Sequence, residues 1–569
     1  MTKQQKLLVT GFIPVSVFFL FFFLFGVNDL SAGQIEPNFS EYLKTLSPDE
    51  FVSALVIMED QADMETINAT LKAERASRKV RHQRVISSLK ESASRSQGDI
   101  TIYLDQKIKE GSVKGYTPYW IMNLIVVQAT MEELEKIASR PDVEIVESNF
   151  KASLIEPEGD RTEPVLVPDK GIGVTPGLRA VKADSVWYQL GITGLGRVLA
   201  NLDTGVDGAH PALTNRWRGN HEPWQECWRD ALGYGDTIPE DYHDHGTHVM
   251  GTMCGLGAST NDTIGIAWEA EWIANNAINQ GVTSEFDNDV LDAFQWFADP
   301  DEDPGTVDDV PDVVQNSWGI FSAWPGYQDC DYRWQDVIVN CEAAGVVCIF
   351  SAGNEGPGSQ TLRSPANICS TATINFAVGA IDATNYDFPF PIWQSSSRGP
   401  SDCDGRTRKP EVVAPGVQVY SSVPGGGYEW YYWSGTSMAG PHVAGVVALM
   451  RQANPDLGVD SIKQILINTA IDLGPLGEEN MYGWGIIDAY AAVRAAQQPG
   501  YVAGDANGDG ICETADVVYL INYLFQNGPP PDPMAAGDPN ADCVVICSDV
   551  LYLINYLFKG GPAPQYGCA

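Results

Sequence analysis

Three short segments carry residue types that do chemistry. Asp203 follows the apolar run Arg197–Leu202 and stands in Asn201-Leu-Asp-Thr-Gly205. A carboxylate at the end of such a strand sits at the mouth of a sheet, where α/β folds place ligands; taken alone it reads more simply as a strand-end Asp capping a turn. His245 and His248 fall in His245-Gly-Thr-His-Val-Met-Gly251. Paired histidines are common metal ligands, but the i, i+3 spacing lacks the H-E-x-x-H arrangement of zinc peptidases. Ser437 stands in Gly435-Thr-Ser-Met-Ala-Gly-Pro-His-Val-Ala-Gly445, ahead of the apolar run Val446–Met450. The pattern predicts a helix beginning near Ser437, capped by Thr436 or a neighbour. A serine there has free backbone N–H groups and the positive end of the helix dipole beside it, and both favour developing negative charge.

A second chemistry recurs at the C-terminal end. Asp505, Asn507 and Asp509 occupy positions 1, 3 and 5 of a loop, with Gly510 at 6, Ile511 offering a backbone carbonyl at 7 and Asp516 at 12. That is the oxygen-ligand spacing of an EF-hand calcium loop with Asp in last place. Asp538, Asn540, Asp542 and Asp549 repeat it, with Cys543 where the first loop has Gly. The stretch Asp516–Phe525 recurs as Asp549–Phe558, which marks a duplicated supersecondary unit. The acidic run Asp299–Asp303 also offers oxygens, and reads more simply as a solvated loop.

These groups need elements to hold them. Across residues 171–497, Trp272–Ala274, Val313–Asn316, Gly345–Ser351 and Ala377–Ile381 are near-continuous apolar runs. Such runs suit strands buried on both faces. With helices expected over Val290–Phe297 and Asp331–Ala344, they predict a three-layer α/β domain around a parallel sheet. Residues 34–165 read as a small α+β unit, with strands at Ala54–Ile57, Ile121–Val127 and Val143–Val146 and helices over Asn68–Ser92 and Met131–Ala138. Glu156–Lys170 is rich in Pro and charge without periodicity, and reads as an exposed linker.

The chain has 569 residues, 44% hydrophobic and 19% charged, enough for several domains with a large core. A formal net charge of −39 repels nucleic-acid phosphates and excludes them as partners; it favours solubility and cation binding. Lys3 and Lys6 precede an apolar stretch from Leu7 to Val27, followed by Ser31, Ala32 and Gly33. This predicts a signal peptide over residues 1–33, cut after Ala32 or Gly33, with an uncleaved anchor as the alternative. Export permits disulfides. The eleven cysteines are an odd number, lack zinc-ribbon spacing, and leave connectivity open.

Together the three segments resemble the subtilisin-like serine peptidases, the subtilases, over roughly residues 175–495. Ala183–Trp187, Asp203–Pro211, Asn316–Gly319 and Tyr482–Gly485 are similar to the bacillopeptidase F-like branch. The resemblance implies a secreted endopeptidase acting on protein or peptide substrates through an acyl-enzyme. Ser437 is then the nucleophile, His245 takes and returns its proton, and Asp203 orients the imidazole. Ser351-Ala-Gly-Asn-Glu-Gly356 matches the family's oxyanion motif and assigns Asn354. Ser317, Trp318 and Gly319 match the strand that pairs with substrate; Gly319 leaves room for the peptide, and Trp318 either walls a subsite or lies in the core. His248, His442 and Cys254 read as structural neighbours, and Lys409–Gly416 as scaffold.

Residues 34–165 stand where secreted subtilases carry an inhibitory propeptide, which implies a zymogen cut between about 150 and 175. Residues 503–569 resemble a type I dockerin, an α-helical EF-hand-like module. That implies Ca2+, a cohesin-type partner and a tether to a surface. The rival reading is a surface binding or scaffold protein whose main business is the dockerin contact; the complete Asp–His–Ser set speaks against it.

Overall fold

Side chains alternate across a strand, and that alternation builds the N-terminal unit. The computed structural model describes residues 33–565 apart from 75, 161–172, 258–261, 279–285, 331, 372, 387, 430, 498–501 and 509–510. Strands β1 (Gln34–Ile35), β2 (Phe51–Met58), β3 (Val113–Tyr119), β4 (Leu124–Thr130) and β5 (Val143–Ser148) form one sheet in the order β1-β5-β2-β4-β3. Ala54, Val56, Ile125 and Val127 face the unit's own core. Leu55, Ile57, Val126 and Ile145 face the other way, into a core shared with the α/β unit that follows.

Four helices cover this sheet: α1 (Pro37–Leu43), α2 (Met64–Ala73), α3 (Arg78–Glu110) and α4 (Met131–Ala138). The helix expected over Asn68–Ser92 is thus two helices, and the second runs on to Glu110. Ser94, Arg95, Gly98 and Asp99 are exposed while Ala93 and Ile100 are buried, so the polar stretch marks a solvent face rather than a helix end. α3 opens on Ser77, whose Oγ accepts from Val80 N at 3.5 Å, and stops at Gly111 with φ +87°. Only glycine adopts that left-handed stop without strain. The apolar segment Leu7–Val27 lies outside the described residues, among which no helix is long and apolar enough to cross a membrane.

The α/β unit carries β6 (Ser153–Leu154), β7 (Val198–Leu202), β8 (Trp228–Arg229), β9 (Glu271–Asn275), β10 (Val313–Asn316), β11 (Trp318–Gly319), β12 (Val347–Ser351), β13 (Phe376–Ile381) and β14 (Val412–Pro415). Seven of these form a parallel sheet in the order β14-β13-β12-β10-β7-β9-β8. Every residue of β7, β10, β12, β13 and β14 is buried, so helices must cover both faces. They are α5 (His245–Cys254), α6 (Asp289–Ala298), α7 (Asp336–Ala343) and α8 (Thr436–Ala453).

The sheet order locates a crevice. The chain steps from β7 through α5 to β9 in one direction and from β10 through α7 to β12 in the other. Right-handed crossovers then place α5 and α7 on opposite faces, with α8 packed against α5. β7 and β10 are neighbours at the point of reversal, and ligands of open α/β sheets bind beyond the strand ends there. A disulfide joins Cys330 to Cys403, and Cys543 is also disulfide-bonded. The C-terminal unit packs α9 (Thr514–Gln526) on α10 (Cys547–Lys559) through Val517, Leu520, Val550 and Leu553.

Candidate active site

The topological reversal delivers three chemical groups to one edge of the sheet. Asp203 follows β7, Ser317 follows β10 and Asn354 stands just beyond β12. Asp203 Oδ1 lies 2.8 Å from Nδ1 of His245, and both side chains are fully buried. A carboxylate facing Nδ1 keeps the proton on that nitrogen and leaves the lone pair on Nε2. Nε2 is buried and hydrogen-bonds to none of the described residues.

His245 is the first residue of α5, and the loop ahead of it is pinned by Asp241. Oδ1 of Asp241 accepts from Thr204 Oγ1 (2.9 Å) and from the backbone N–H groups of His243 and Asp244 (3.0 Å each). Oδ2 accepts from Thr247 N (2.9 Å) and Thr247 Oγ1 (2.6 Å). Burial raises the carboxyl's pKa, and these donors pull it back. Thr204 Oγ1 in turn accepts from Gly246 N at 3.0 Å, so one carboxylate ties the Asp203 loop to the start of α5. The approach is close enough to require glycine: a Cβ on Gly246 would stand 2.0 Å from the Gly205 carbonyl oxygen.

Ser437 is the second residue of α8. The cap is Gly435 rather than Thr436, a residue with no side chain of its own to close the helix end, so the N–H groups of the first turn are left to partners from elsewhere in the chain. Asn354 Oδ1 accepts from Thr436 N and Thr436 Oγ1, both at 3.0 Å. That fixes the amide and turns Nδ2 toward the Glu156 carbonyl.

Residues 153–158 thread this cleft. β6 pairs antiparallel with β11, Leu154 opposite Trp318 and Ser153 opposite Gly319, and Ile155 N donates to Ser317 O at 3.0 Å. Ser437 Oγ donates to the Ile155 carbonyl at 2.9 Å. Asn354 Nδ2 donates to the Glu156 carbonyl at 2.7 Å. Beyond the serine, Glu158 and Ser434 exchange backbone hydrogen bonds of 2.7 and 3.2 Å. The start of the stretch expected to be an exposed linker is thus an extended peptide laid across Ser437; the rest, from 161, lies outside the described residues.

The neighbours sort by chemistry. Trp318 gives its backbone to β6 while its indole lies in the core, 1% exposed, against Phe294 and Phe350. It walls no subsite, because side chains alternate and its own points under the sheet. His248 Nε2 donates to Val419 O (2.9 Å) and its ring stacks on Trp433 at 4.1 Å, and burial pushes its pKa down to about 3. Burial takes His442 down to about 4 and the Cys254 thiol up to about 11, so neither is poised to react. Trp433, 6.0 Å from the His245 ring, and Asp241 were not singled out from sequence; neither sits in a motif that its own spacing makes visible. The acidic run at 299 is a docking point: Lys90 of α3 pairs with Asp299.

In the C-terminal unit, carboxylate oxygens of Asp538, Asp542 and Asp549 lie within 4.8 Å of one another. Burial raises the Asp549 pKa, and the nearby charges of Asp542 and Asp538 raise it further, as like charges do. Cys543 takes φ +67°, the left-handed turn for which position 6 otherwise wants glycine. In the first loop Asp516 accepts from Asn507 N (3.1 Å) and Glu513 N (2.7 Å), and Asp505 from Gly508 N (2.9 Å). Ile511 is exposed, and Asp509 lies outside the described residues. Leu520 and Leu553 are core; the exposed pairs are Val518 with Leu551 and Phe525 with Phe558.

Residues 194–485, just over half of the chain, match the model of the Subtilase family. The chain is 38% identical over 433 residues to Bacillopeptidase F of Bacillus subtilis, an alignment covering 72% of this chain and 28% of that protein. It is 29% identical over 318 residues to Subtilisin Savinase of Lederbergia lenta, covering 56% of this chain and 98% of that one. Among solved structures, it is similar in fold to fervidolysin from Fervidobacterium pennivorans, a keratinolytic enzyme related to subtilisin. There the TM-score is 0.52 at 22% identity, over 81% of this chain and 64% of that one.

Proposed function

The chain belongs to the subtilase family, and from that premise we propose that it is an exported serine endopeptidase, made as a zymogen and tethered through a calcium-dependent C-terminal module. One observation carries the reading: an extended peptide lies across Ser437 with flanking carbonyls held by Ser437 Oγ and Asn354 Nδ2, beside a buried Asp203–His245 pair. In catalysis Ser437 Oγ attacks the scissile carbonyl carbon while His245 Nε2 takes its proton. Asp203 stabilises the imidazolium that results. Asn354 Nδ2, which rests on the neighbouring Glu156 carbonyl, shifts to the tetrahedral oxyanion and donates to it beside the Ser437 N–H. His245 returns the proton to the leaving amine, and water releases the acyl group from Ser437 by the reverse sequence.

The N-terminal unit fits an inhibitor in cis. Its sheet shares the α/β core, and its last strand, β6, occupies the strand-pairing surface that a substrate would use. Ser437 addresses the Ile155 carbonyl, so the first cut falls between Ile155 and Glu156, and the mature enzyme begins at Glu156. The two C-terminal loops hold Ca2+, through Asp505, Asn507, Asp509, Ile511 and Asp516 in one and Asp538, Asn540, Asp542 and Asp549 in the other. The cation neutralises carboxylates that otherwise repel. The exposed apolar pairs on α9 and α10 supply a surface for a cohesin-type protein.

A fluorophosphonate probe tests the central claim. It labels the protein at Ser437, and Ser437→Ala removes both labelling and cleavage of casein while leaving Ile155–Glu156 intact in the full chain. Labelling or cleavage that survives Ser437→Ala overturns the mechanism.

A further inference from the structure

Resting on the peptidase reading above, we propose that His243 makes the enzyme prefer an acidic side chain immediately after the scissile bond. The peptide in the cleft supplies the geometry. Ser437 Oγ faces the Ile155 carbonyl, and the next side chain is that of Glu156. His243 Nε2 lies 3.8 Å from Glu156 Oε1. His243 is not a stray surface residue. Its backbone N–H is bound by Asp241 Oδ1 at 3.0 Å, so its position is set by the same carboxylate that pins the start of α5.

The surroundings favour the charged ring. Asp244 Oδ1 stands 3.4 Å from His243 Nδ1. Contact with the Asp244 carboxylate raises the ring's pKa, burial works against it, and the charges of Asp244, Glu156 and Asp241 raise it further. Among the described residues, the charged groups that act on the ring, Asp244, Glu156 and Asp241, are acidic. That bears on selectivity as well as on protonation. A site flanked by Asp203, Asp241 and Asp244, in a chain of net charge −39, repels an incoming carboxylate. The imidazolium reverses the local sign at one position, which is how a single charge discriminates between isosteric substrates. Farther along the same peptide Glu158 Oε2 accepts from Ser395 Oγ at 2.9 Å, so a second carboxylate is received by a donor rather than by an acid.

The test uses enzyme produced from the full chain and two quenched fluorogenic peptides, Ala-Ser-Leu-Ile-Glu-Pro-Glu and its isostere with Gln after Ile. The quantity read is the ratio of their kcat/KM values, in which every effect common to both peptides cancels. A half-exposed ion pair predicts a preference for Glu of about three- to fivefold near pH 6, falling toward unity near pH 9 as the ring loses its proton. His243→Gln brings the ratio to unity or below at both pH values. His243→Arg keeps the preference and removes its pH dependence. Equal rates for the two peptides near pH 6, or a wild-type ratio in His243→Gln, overturn the inference while cleavage of casein upholds the peptidase reading. Cleavage of neither peptide nor casein overturns that reading, and this inference with it.

Discussion

Replacing Asp241 by Asn changes one oxygen of a buried carboxylate and should cost both stability and turnover. The carboxylate accepts from Thr204 Oγ1, His243 N, Asp244 N, Thr247 N and Thr247 Oγ1. An amide has one acceptor oxygen, and its NH2 must face donors whichever way it is turned. The cheaper orientation points NH2 at Thr247, whose hydroxyl can rotate to accept but whose backbone N–H is then stranded. Losing one charge-assisted hydrogen bond and orphaning one donor costs about 3 kcal/mol. Part of that loss loosens the entry to α5, where His245 is the first residue. A misplacement approaching 1 Å costs about 100-fold in rate, so kcat should fall by about 10- to 100-fold with KM little changed. Urea unfolding in the Ser437→Ala background, where self-digestion is absent, reads the stability term; casein hydrolysis by the otherwise wild-type chain reads the second. A midpoint and a kcat both unchanged in Asp241→Asn refute the reasoning that this carboxylate positions His245.

Lys409 and Glu411 are a buried pair, 1% and 4% exposed, with Lys409 Nζ also bound to the Ile374 and Asn375 carbonyls. Lys409→Met strands the carboxylate and should lower stability by about 3–5 kcal/mol, which a second change, Glu411→Leu, largely restores; thermal unfolding decides. Burial and Asp301 raise the Asp309 pKa to about 7. Its folded pKa therefore exceeds its unfolded value, and the stability it contributes at acid pH is lost as pH rises through about 7. Asp309→Asn should gain stability relative to wild type at pH 8 but not at pH 4, and a gain confined to the acid side would contradict this. Calcium should protect the C-terminal unit of the Ser437→Ala chain from limited proteolysis, EDTA should abolish that protection, and Asp549→Ala should abolish it for α10; trimming that ignores calcium would sink the assignment.

Much of the architecture was legible because it is written locally. Near-continuous apolar runs such as Val313–Asn316 mean strands covered on both faces, and the small residues around Ser437 mean a helix end that another backbone can approach. The limits were also local. Ser94–Asp99 reads as a break in a helix because polarity on one face looks the same in sequence as polarity in a loop. Trp318 reads as either wall or core because alternation fixes which side a residue points to, not what lies on that side.

What the sequence settles, then, is conformation over short stretches: the strand before Asp203, the glycines that let α5 and the Asp203 loop touch, the spacing of acidic residues in the two C-terminal loops. Only the folded molecule decides what meets across long separations. Ser437 and Ile155 are 282 residues apart, and no periodicity links them. They meet because one face of the N-terminal sheet, Leu55, Ile57, Val126 and Ile145, buries into the core of the α/β unit. That shared burial, summed over both units, holds residues 153–158 on the cleft; the peptide's own composition, rich in Pro and Glu, does not.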